Sequence, residues 1–329
     1  DLISNYHGSR CPGGKNDFSC IITPFEAIAK ANSGGTTTIA TGCTVAGAGV
    51  DSEIAAAVAA DADAIVIIGF DETTKILGGL IEAGQGPADK LVYGTDGNMG
   101  NALAQAFDDP SVVAGMKGTL PGVDVAGELP EFRDRLLEVD PSLTDFSYAA
   151  EAYDAVIVVT IANLMSGSTG DPAVFAPLIN DVTRGGQKCS SLLECGLLLQ
   201  SGITDIDYDG VSGPLEFIDA GEPSEASILI LEFDADGALQ VIGSVNGKVG
   251  GADAPAESAA GDGVLRLGGI LPETGNLAFL GPPEFAGAEL AVQEINAAGG
   301  VLGNDVEWLP GDSGDNGEVA NATVDRLLA

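Results

Sequence analysis

A strand, loop and helix pattern near the end of this 329-residue chain, over residues 264–302, most constrains what the chain can fold into. The apolar run Val264–Leu271 has the length and composition of a buried parallel strand. From Pro283 the apolar residues recur at steps of three and four, which is the period of an amphipathic helix. Gly299 and Gly300 end this period where a helix favours a left-handed residue. The stretch therefore predicts a buried strand followed by a helix.

A second strand and a second helix are predicted directly afterwards. Residues 304–309 have the apolar content of a short strand. Asp315 or Asn316 is the expected N-cap of a helix that carries Val319 and Val324 on its apolar side. Together with the preceding pair, these elements predict a βαβα unit.

The same alternation occurs in the first half of the chain. Asp51 is placed to cap a helix. Residues 64–70 are predicted to form a strand, residues 73–83 a helix and residues 91–93 the next strand. A strand, helix and strand in this order form a crossover that makes the two strands parallel. The sequence therefore predicts an α/β fold of parallel sheets flanked by helices.

Composition excludes several classes of partner. The apolar content of 45% is enough to fill the cores of two domains in a chain of this length. Forty-nine acidic residues against 13 basic residues give a formal charge of −36, which opposes binding to nucleic acid or to an anionic membrane. We therefore expect no nucleic-acid partner and interpret the charge as a solvated carboxylate surface.

Four of the five cysteines fall into two close pairs. Cys189 and Cys195 bracket one short segment, and Cys11 and Cys20 bracket another. Each pair is spaced to close a small disulfide loop, which would imply an oxidising compartment, although each is also compatible with two unrelated thiols. The single histidine and the cysteine spacings do not match a zinc site, so we expect no metal.

Two loops at strand ends are the candidate ligand-binding segments. In a parallel α/β sheet, ligands bind at the carboxyl ends of the strands, which here are residues 69–72 and 94–98. Asp71 in the first loop is a candidate ligand-binding residue, and it also suits the first turn of a helix, where the dipole favours acids. Asp96 in the second loop has a glycine beside it, which allows the backbone to approach a ligand closely.

Several stretches resemble type I periplasmic binding proteins, most closely the branched-chain amino-acid-binding proteins of ABC transporters. The similarity covers most of residues 50–245 and 264–329. It rests on these sequences together: GFDETTKILGGLIEAG, VYGTDGNMGNAL, the helical segment 148–165, LINDVTRGGQKCSSLLEC, DIDYDGVSGPLEFIDAGEPS and VLRLGGILPETGNLAFLGPPEFAGAELAVQEINAAGG. The resemblance implies an extracytoplasmic solute-binding protein that captures a small amino acid, with a branched-chain side chain, or a related amide. Its implied partners are that small-molecule ligand and the membrane subunits of an ABC importer.

The order of the segments departs from the family. In the family, the segment found here at 264–329 comes first, and residues 249–263 resemble the flexible tether between a lipid anchor and the first strand. No cysteine stands near Gly250, so lipid anchoring does not carry over. Residues 1–35 match the family poorly, and the loop that holds the ligand carboxylate in the family would follow Ala329. A circular permutant, a truncated product and a sequence joined out of order all fit this pattern.

The resemblance also implies a two-lobed organisation. Lobe two would comprise residues 1–115 and 227–248, and lobe one residues 116–226 and 264–329, with 249–263 as a flexible linker. The ligand would bind in the cleft between the lobes. Closure of the lobes would bury it, and the closed form would be recognised by the transporter.

The resemblance assigns roles to individual residues of this chain. Asp96 stands where the family places an acid that pairs with the ligand ammonium. Phe70 and Tyr148 stand at positions that pack on the ligand from lobe two and from the hinge side. The lobe-one loop contributes Phe279, Leu280 and Gly281, although Phe279 equally suits a core position. These groups fit a zwitterion with an aliphatic side chain, which needs a carboxylate, backbone donors and apolar walls.

Three other functions compete with this interpretation. An enzyme is disfavoured because the chain has no GxxxxGK[ST], GxGxxG or GxSxG motif and only one histidine, and no cofactor is expected. DIDYDG at 205–210 and FDADG at 233–237 do not fit the EF-hand pattern, and Asp-Gly turns between strands explain them. The remaining alternative is an acidic secreted surface or filament protein that keeps the binding fold.

Overall fold

The computed structural model describes residues 50–60, 62–167, 172–248, 264–301, 303–314 and 316–327. The helices are α1 (Asp51–Ala60), α2 (Glu72–Glu82), α3 (Asn101–Gln105), α4 (Pro130–Val139), α5 (Ala149–Ser166), α6 (Pro172–Phe175), α7 (Leu192–Gln200), α8 (Gly281–Ala297) and α9 (Gly317–Leu327). The strands are β1 (Ala64–Val66), β2 (Leu91–Gly94), β3 (Lys117–Pro121), β4 (Gln187–Cys189), β5 (Ile206–Gly210), β6 (Gly213–Pro214), β7 (Glu225–Phe233), β8 (Leu239–Lys248), β9 (Arg266–Gly268) and β10 (Glu307–Leu309). The predicted α/β class is confirmed. The predicted linker 249–263 and the pair Cys11 and Cys20 lie outside the described residues.

The chain divides into two compact units. The first unit comprises Asp1–Gly118 and Glu232–Gln240, and the second comprises Thr119–Leu231 and Val241–Ala329. The three points at which the chain passes from one unit to the other lie inside strands β3, β7 and β8. These strands belong to a five-stranded sheet with the order β1-β2-β3-β7-β8.

The first unit contains the predicted crossover. Strand β1 pairs in parallel with β2, and β2 pairs in parallel with β3. The apolar side of α2 supplies the fully buried side chains of Leu77 and Leu80. The predicted strand at 64–70 ends earlier than expected, at Val66. Its continuation still donates from Ile67 N to Tyr93 O at 2.8 Å, and the chain then turns into the loop that precedes α2.

The second unit is built around the long helix α5. Among the described residues, α5 is the one helix with the length and hydropathy of a membrane span, and 61% of it is buried inside the protein, as in a core helix. It packs on α8 so closely that a Cβ at Gly287 would lie 2.1 Å from the carbonyl oxygen of Ala149. The Tyr153 hydroxyl also donates to Glu294 on α8 at 2.6 Å. These contacts fix the N-terminal half of α5 against α8.

The predicted βαβα unit is confirmed in the second unit as β9, α8, β10 and α9. Strands β9 and β10 pair in parallel. Gly299 and Gly300 adopt φ values of 104° and 70° after the end of α8, which is the left-handed ending predicted from the sequence. Of the two proposed caps, Asn316 caps α9, because its side-chain oxygen accepts from the amides of Glu318 and Val319.

The remaining strands of the second unit include a hairpin that a purely parallel sheet would not contain. Strand β4 pairs in parallel with β5, but β5 pairs with β6 in antiparallel fashion. The Asp-Gly sequence at the end of DIDYDG leads into the turn between β5 and β6, in agreement with the prediction of an Asp-Gly turn between strands. Cys189 at the end of β4 forms a disulfide with Cys195 in α7, with an S–S distance of 2.08 Å.

Candidate ligand-binding site

The two loops at the carboxyl ends of β1 and β2 lie side by side in the first unit. Asn98 joins them, because its amide nitrogen donates to Ile67 O at 3.0 Å and to the Thr73 hydroxyl at 3.1 Å. The amide oxygen of Asn98 accepts from Thr95 N at 2.8 Å. Asn98 and Thr73 are both buried. The sequence analysis missed these two residues, which determine where the neighbouring loop residues lie.

Phe70 and Asp96 occupy adjacent positions in these loops. The ring of Phe70 lies against Gly97, where a Cβ would be 2.6 Å from the ring. The side chain of Phe70 is 43% exposed, and Asp96 is exposed beside it, as the first residue of the 3-10 turn Asp96–Asn98. Asp71 is exposed and directly precedes α2. The exposed acid Asp96 therefore directly precedes the glycine on which the Phe70 ring packs, at the carboxyl end of a parallel strand.

Tyr148 lies in the second unit at the start of α5. Its φ of 61° is left-handed, a conformation that costs a non-glycine residue about 1–2 kcal/mol. The turn before it is fixed by Asp145, whose carboxylate accepts from the amide and the hydroxyl of Ser147 at 2.9 and 2.6 Å. Tyr148 is half-buried. Strained residues of this kind cluster at ligand sites, so the geometry is consistent with a binding role.

Phe279, Leu280 and Gly281 lie in the second unit, where the loop after β9 enters α8. Leu280 is buried and Phe279 is half-buried. Gly281 packs against this loop so closely that a Cβ would lie 2.3 Å from Pro272 O. A side chain at this position would displace the loop, which explains the glycine.

Asp312, which follows β10, fixes the base of the same loop. Its carboxylate accepts from the amides of Glu273 at 3.1 Å, Thr274 at 2.9 Å and Gly314 at 2.8 Å, and from the Thr274 hydroxyl. The hydrogen bond from the Thr274 side chain lowers the pKa of Asp312, with smaller contributions from the backbone amides. The sequence analysis missed Asp312, although an acid at the carboxyl end of a parallel strand is a signal that would have identified it.

The N-terminus of α8 provides few backbone amide donors for an anion. Its first turn contains Pro282 and Pro283, which have no amide hydrogen to donate. The amide of Gly281 is already bonded to Ala278 O. This segment therefore contributes mainly apolar surface and is poorly suited to holding a ligand carboxylate.

Two glutamates occupy the first turns of the paired helices. Burial raises the pKa of Glu151 in α5 to about 7, and the charge of Asp154 adds to the effect. Burial likewise raises the pKa of Glu284 in α8 to about 7, with a further contribution from the charge of Glu151. Helix N-termini normally favour ionised acids, so here desolvation and mutual repulsion outweigh the helix dipole. Their burial depends on tertiary packing, which the sequence pattern does not show.

The structure thus brings the predicted residues together in two groups. Phe70, Asp71 and Asp96 lie on neighbouring loops of the first unit, whereas Tyr148 and residues 279–281 lie in the second unit.

The acidic stretch DIDYDG has a structural role. The amine of Lys188 lies 2.8 Å from Asp207, 2.8 Å from Asp209 and 3.2 Å from Glu216. The hydrogen bonds that Lys188 donates, led by that to Asp207, raise the pKa of Lys188. Across the part of the chain that the structure describes, no group of three or more His, Cys, Asp or Glu side chains is arranged to hold a metal ion.

Comparison with known proteins finds similarity over part of the chain. Residues 264–329 match a family model described as periplasmic binding protein. The Leu/Ile/Val-binding protein homolog 8 of Brucella abortus is 42% identical over 65 residues, which are 20% of this chain and 16% of that protein. The Leu/Ile/Val-binding protein homolog 7 of the same organism is 40% identical over 82 residues, which are 25% of this chain and 20% of that protein.

Among solved structures, the chain is similar to the leucine-binding protein LivK of Thermotoga maritima. The TM-score is 0.44 at 17% sequence identity, and the alignment covers 60% of this chain and 48% of that chain. The matches therefore span only part of the length of each of these proteins.

Proposed function

We propose that this chain, which is related to the type I periplasmic binding proteins of the branched-chain amino-acid type, is an extracytoplasmic protein that captures a small aliphatic amino acid or related amide for an ABC importer. The observation that carries the proposal is the exposed acid Asp96, which directly precedes the glycine on which the Phe70 ring packs, at the carboxyl end of a parallel strand. The curated relatives carry names of Leu/Ile/Val-binding proteins, which supports this ligand class.

The first unit would bind the charged end of the ligand. An ammonium needs a carboxylate partner when it is removed from water, because an unpaired buried charge costs several kcal/mol. Asp96 supplies that partner. Phe70 provides an adjoining apolar surface that excludes water from the pair, and Asp71 adds a second carboxylate nearby.

The second unit would bind the side chain of the ligand. Tyr148 and Phe279 are half-buried aromatic residues at the starts of α5 and α8. We propose that the two units are the two ligand-binding lobes. The disulfide between Cys189 and Cys195 is consistent with the oxidising, extracytoplasmic compartment that this function requires.

The alternative is an acidic surface or filament protein that keeps the fold. The proline-rich start of α8 favours this alternative, because it leaves the described segment with few donors for a ligand carboxylate.

Calorimetric titration of the purified protein with leucine, isoleucine, valine and the charged amino acids glutamate and lysine distinguishes the two functions. We expect binding of the aliphatic amino acids and not of the charged ones. No heat with any of the five would refute the amino-acid proposal and support the structural alternative.

A further inference from the structure

We infer that Asn98 and Thr73 are positioning residues that hold Asp96 in register with Phe70 for ligand binding. This inference rests on the function proposed above and concerns two residues that do not themselves touch the ligand. Both side chains are buried, with exposed fractions of 5% for Asn98 and 0% for Thr73.

The hydrogen bonds of Asn98 connect three segments. Its amide oxygen accepts from Thr95 N in the loop of Asp96, and both hydrogens of its amide nitrogen are used by Ile67 O and the Thr73 hydroxyl. Ile67 lies at the start of the Phe70 loop, and Thr73 lies in the first turn of α2. A single side chain therefore ties the Asp96 loop to the Phe70 loop and to the helix that follows it.

The close approach of neighbouring atoms restricts the side chain of Asn98. A Cβ at Gly94 would lie 2.4 Å from the Asn98 amide oxygen. Strand β2 therefore ends in glycine, which has no Cβ to displace the Asn98 side chain. Thr73 is held by its own backbone, because its amide donates to Phe70 O at 2.9 Å. The Thr73 hydroxyl therefore links the Phe70 loop to Asn98. Asn98 in turn fixes the turn that begins with Asp96.

Exposed loop carboxylates are usually mobile, and a mobile carboxylate loses conformational freedom when it binds. A carboxylate held in place beforehand avoids part of that cost. We therefore assign to the Asn98–Thr73 pair the pre-organisation of Asp96 for an ammonium.

Removal of Asn98 itself risks unfolding, so the test uses Thr73→Val, which has nearly the same shape and removes only the hydroxyl. We expect Thr73→Val to raise the Kd for leucine by about threefold to tenfold, as for the loss of one buried hydrogen bond. Thr73→Ser keeps the hydroxyl and should retain an affinity close to that of the wild type. The matched control is Thr160→Val in α5, since the Thr160 hydroxyl is buried without a hydrogen-bond partner. This control should leave the Kd unchanged.

A double-mutant cycle separates positioning from a general structural effect. Combined with Asp96→Asn, Thr73→Val should raise the Kd no further, because it acts through the charge of Asp96. Equal penalties in both backgrounds, or no penalty in the wild-type background, would overturn the inference. The titration of the wild-type protein tests the proposed function separately, and a wild type that does not bind leucine would refute both.

Discussion

The carboxylate of Asp154 in α5 accepts the hydroxyl of Tyr208 in β5 at 2.7 Å, inside the second unit. The same carboxylate accepts from Val211 N at 3.0 Å, from Ser212 N at 2.7 Å and from the Ser212 hydroxyl at 2.6 Å. Burial raises the pKa of Asp154, and these four donors oppose that rise. Asp154 therefore joins the central helix to the turn between β5 and β6.

Replacement of Asp154 by Ala should lower the free energy of unfolding by about 3 kcal/mol or more, because it leaves the buried Tyr208 hydroxyl and three partly buried donors without an acceptor. Tyr208→Phe removes one donor only and should cost about 1–2 kcal/mol. Urea denaturation followed by circular dichroism measures both values. A cost for Asp154→Ala no greater than that for Tyr208→Phe would contradict the role of the carboxylate as a shared acceptor.

The close approach of α5 and α8 predicts a strong effect of one methyl group. Gly287→Ala should lower the free energy of unfolding by at least about 2 kcal/mol, because its Cβ would overlap the carbonyl oxygen of Ala149. Gly196→Ala in α7 is the matched control, since a Cβ there meets no atom within 4 Å. That substitution should stabilise the protein by about 0.5–1 kcal/mol through helix propensity. Thermal or urea unfolding of the two variants checks the contrast, and equal stabilities would disprove the close packing.

Glu151 and Glu284 predict how stability changes with pH. Both carboxyls have folded-state pKa values of about 7, above the ordinary value of 4.5, so the folded protein binds these protons more tightly than the unfolded chain. Their contribution to stability is therefore complete below about pH 4.5 and is lost as the pH rises to about 7. The full rise in pKa would correspond to a loss of about 3 kcal/mol for each group. Because both side chains are only partly buried and solvent screens them, we expect a loss of about 1–2 kcal/mol for each group over this interval.

The high negative charge of the chain changes stability in the same direction, so the test compares variants. Glu151→Gln and Glu284→Gln should each flatten the dependence of the unfolding free energy on pH between 5 and 7. Glu289→Gln, on the exposed side of α8, removes one charge without removing a buried carboxyl and serves as the control. The same slope in all three variants would show that the buried pair does not titrate in this range.

Tyr148 offers a test that separates stability from binding. Tyr148→Gly stabilises the protein by removing the strain of the left-handed backbone, and destabilises it by removing the contacts of a half-buried ring. Because each effect is about 1–2 kcal/mol, the net change in stability should be within about 1 kcal/mol. The affinity for leucine should nevertheless fall at least tenfold, whereas Tyr148→Phe should retain most of it. Unchanged leucine affinity in the glycine variant, measured by calorimetry, would remove Tyr148 from the binding site.

Local sequence signals were sufficient for the order of the strands and helices within residues 51–93 and 264–327. The glycine pair at 299–300, the cap at Asn316 and the disulfide between Cys189 and Cys195 each depend on residues close together in sequence. The loops that carry Phe70 and Asp96 could also be located, because carboxyl ends of parallel strands follow directly from the strand and helix alternation.

The contacts that the supporting residues make were beyond such signals. Asn98 acts through Ile67 and Thr73, which are 31 and 25 residues away in sequence. Asp312 acts on Thr274 from 38 residues away. The raised pKa values of Glu151 and Glu284 arise from burial between two packed helices. These effects depend on tertiary contacts, which local patterns in a single sequence do not reveal.

The most direct test of the account is the leucine affinity of Asp96→Asn, which keeps the shape of the side chain and removes its charge. Asp109→Asn is the control, because Asp109 is an exposed acid of the first unit whose carboxylate bonds only locally, to Ser111 at 3.0 and 2.7 Å. The account predicts that Asp96→Asn weakens binding about 100-fold or more, equivalent to about 2.7 kcal/mol, while Asp109→Asn binds as the wild type does. Equal leucine affinity in the two variants would contradict the assignment of Asp96 as the partner of the ligand ammonium.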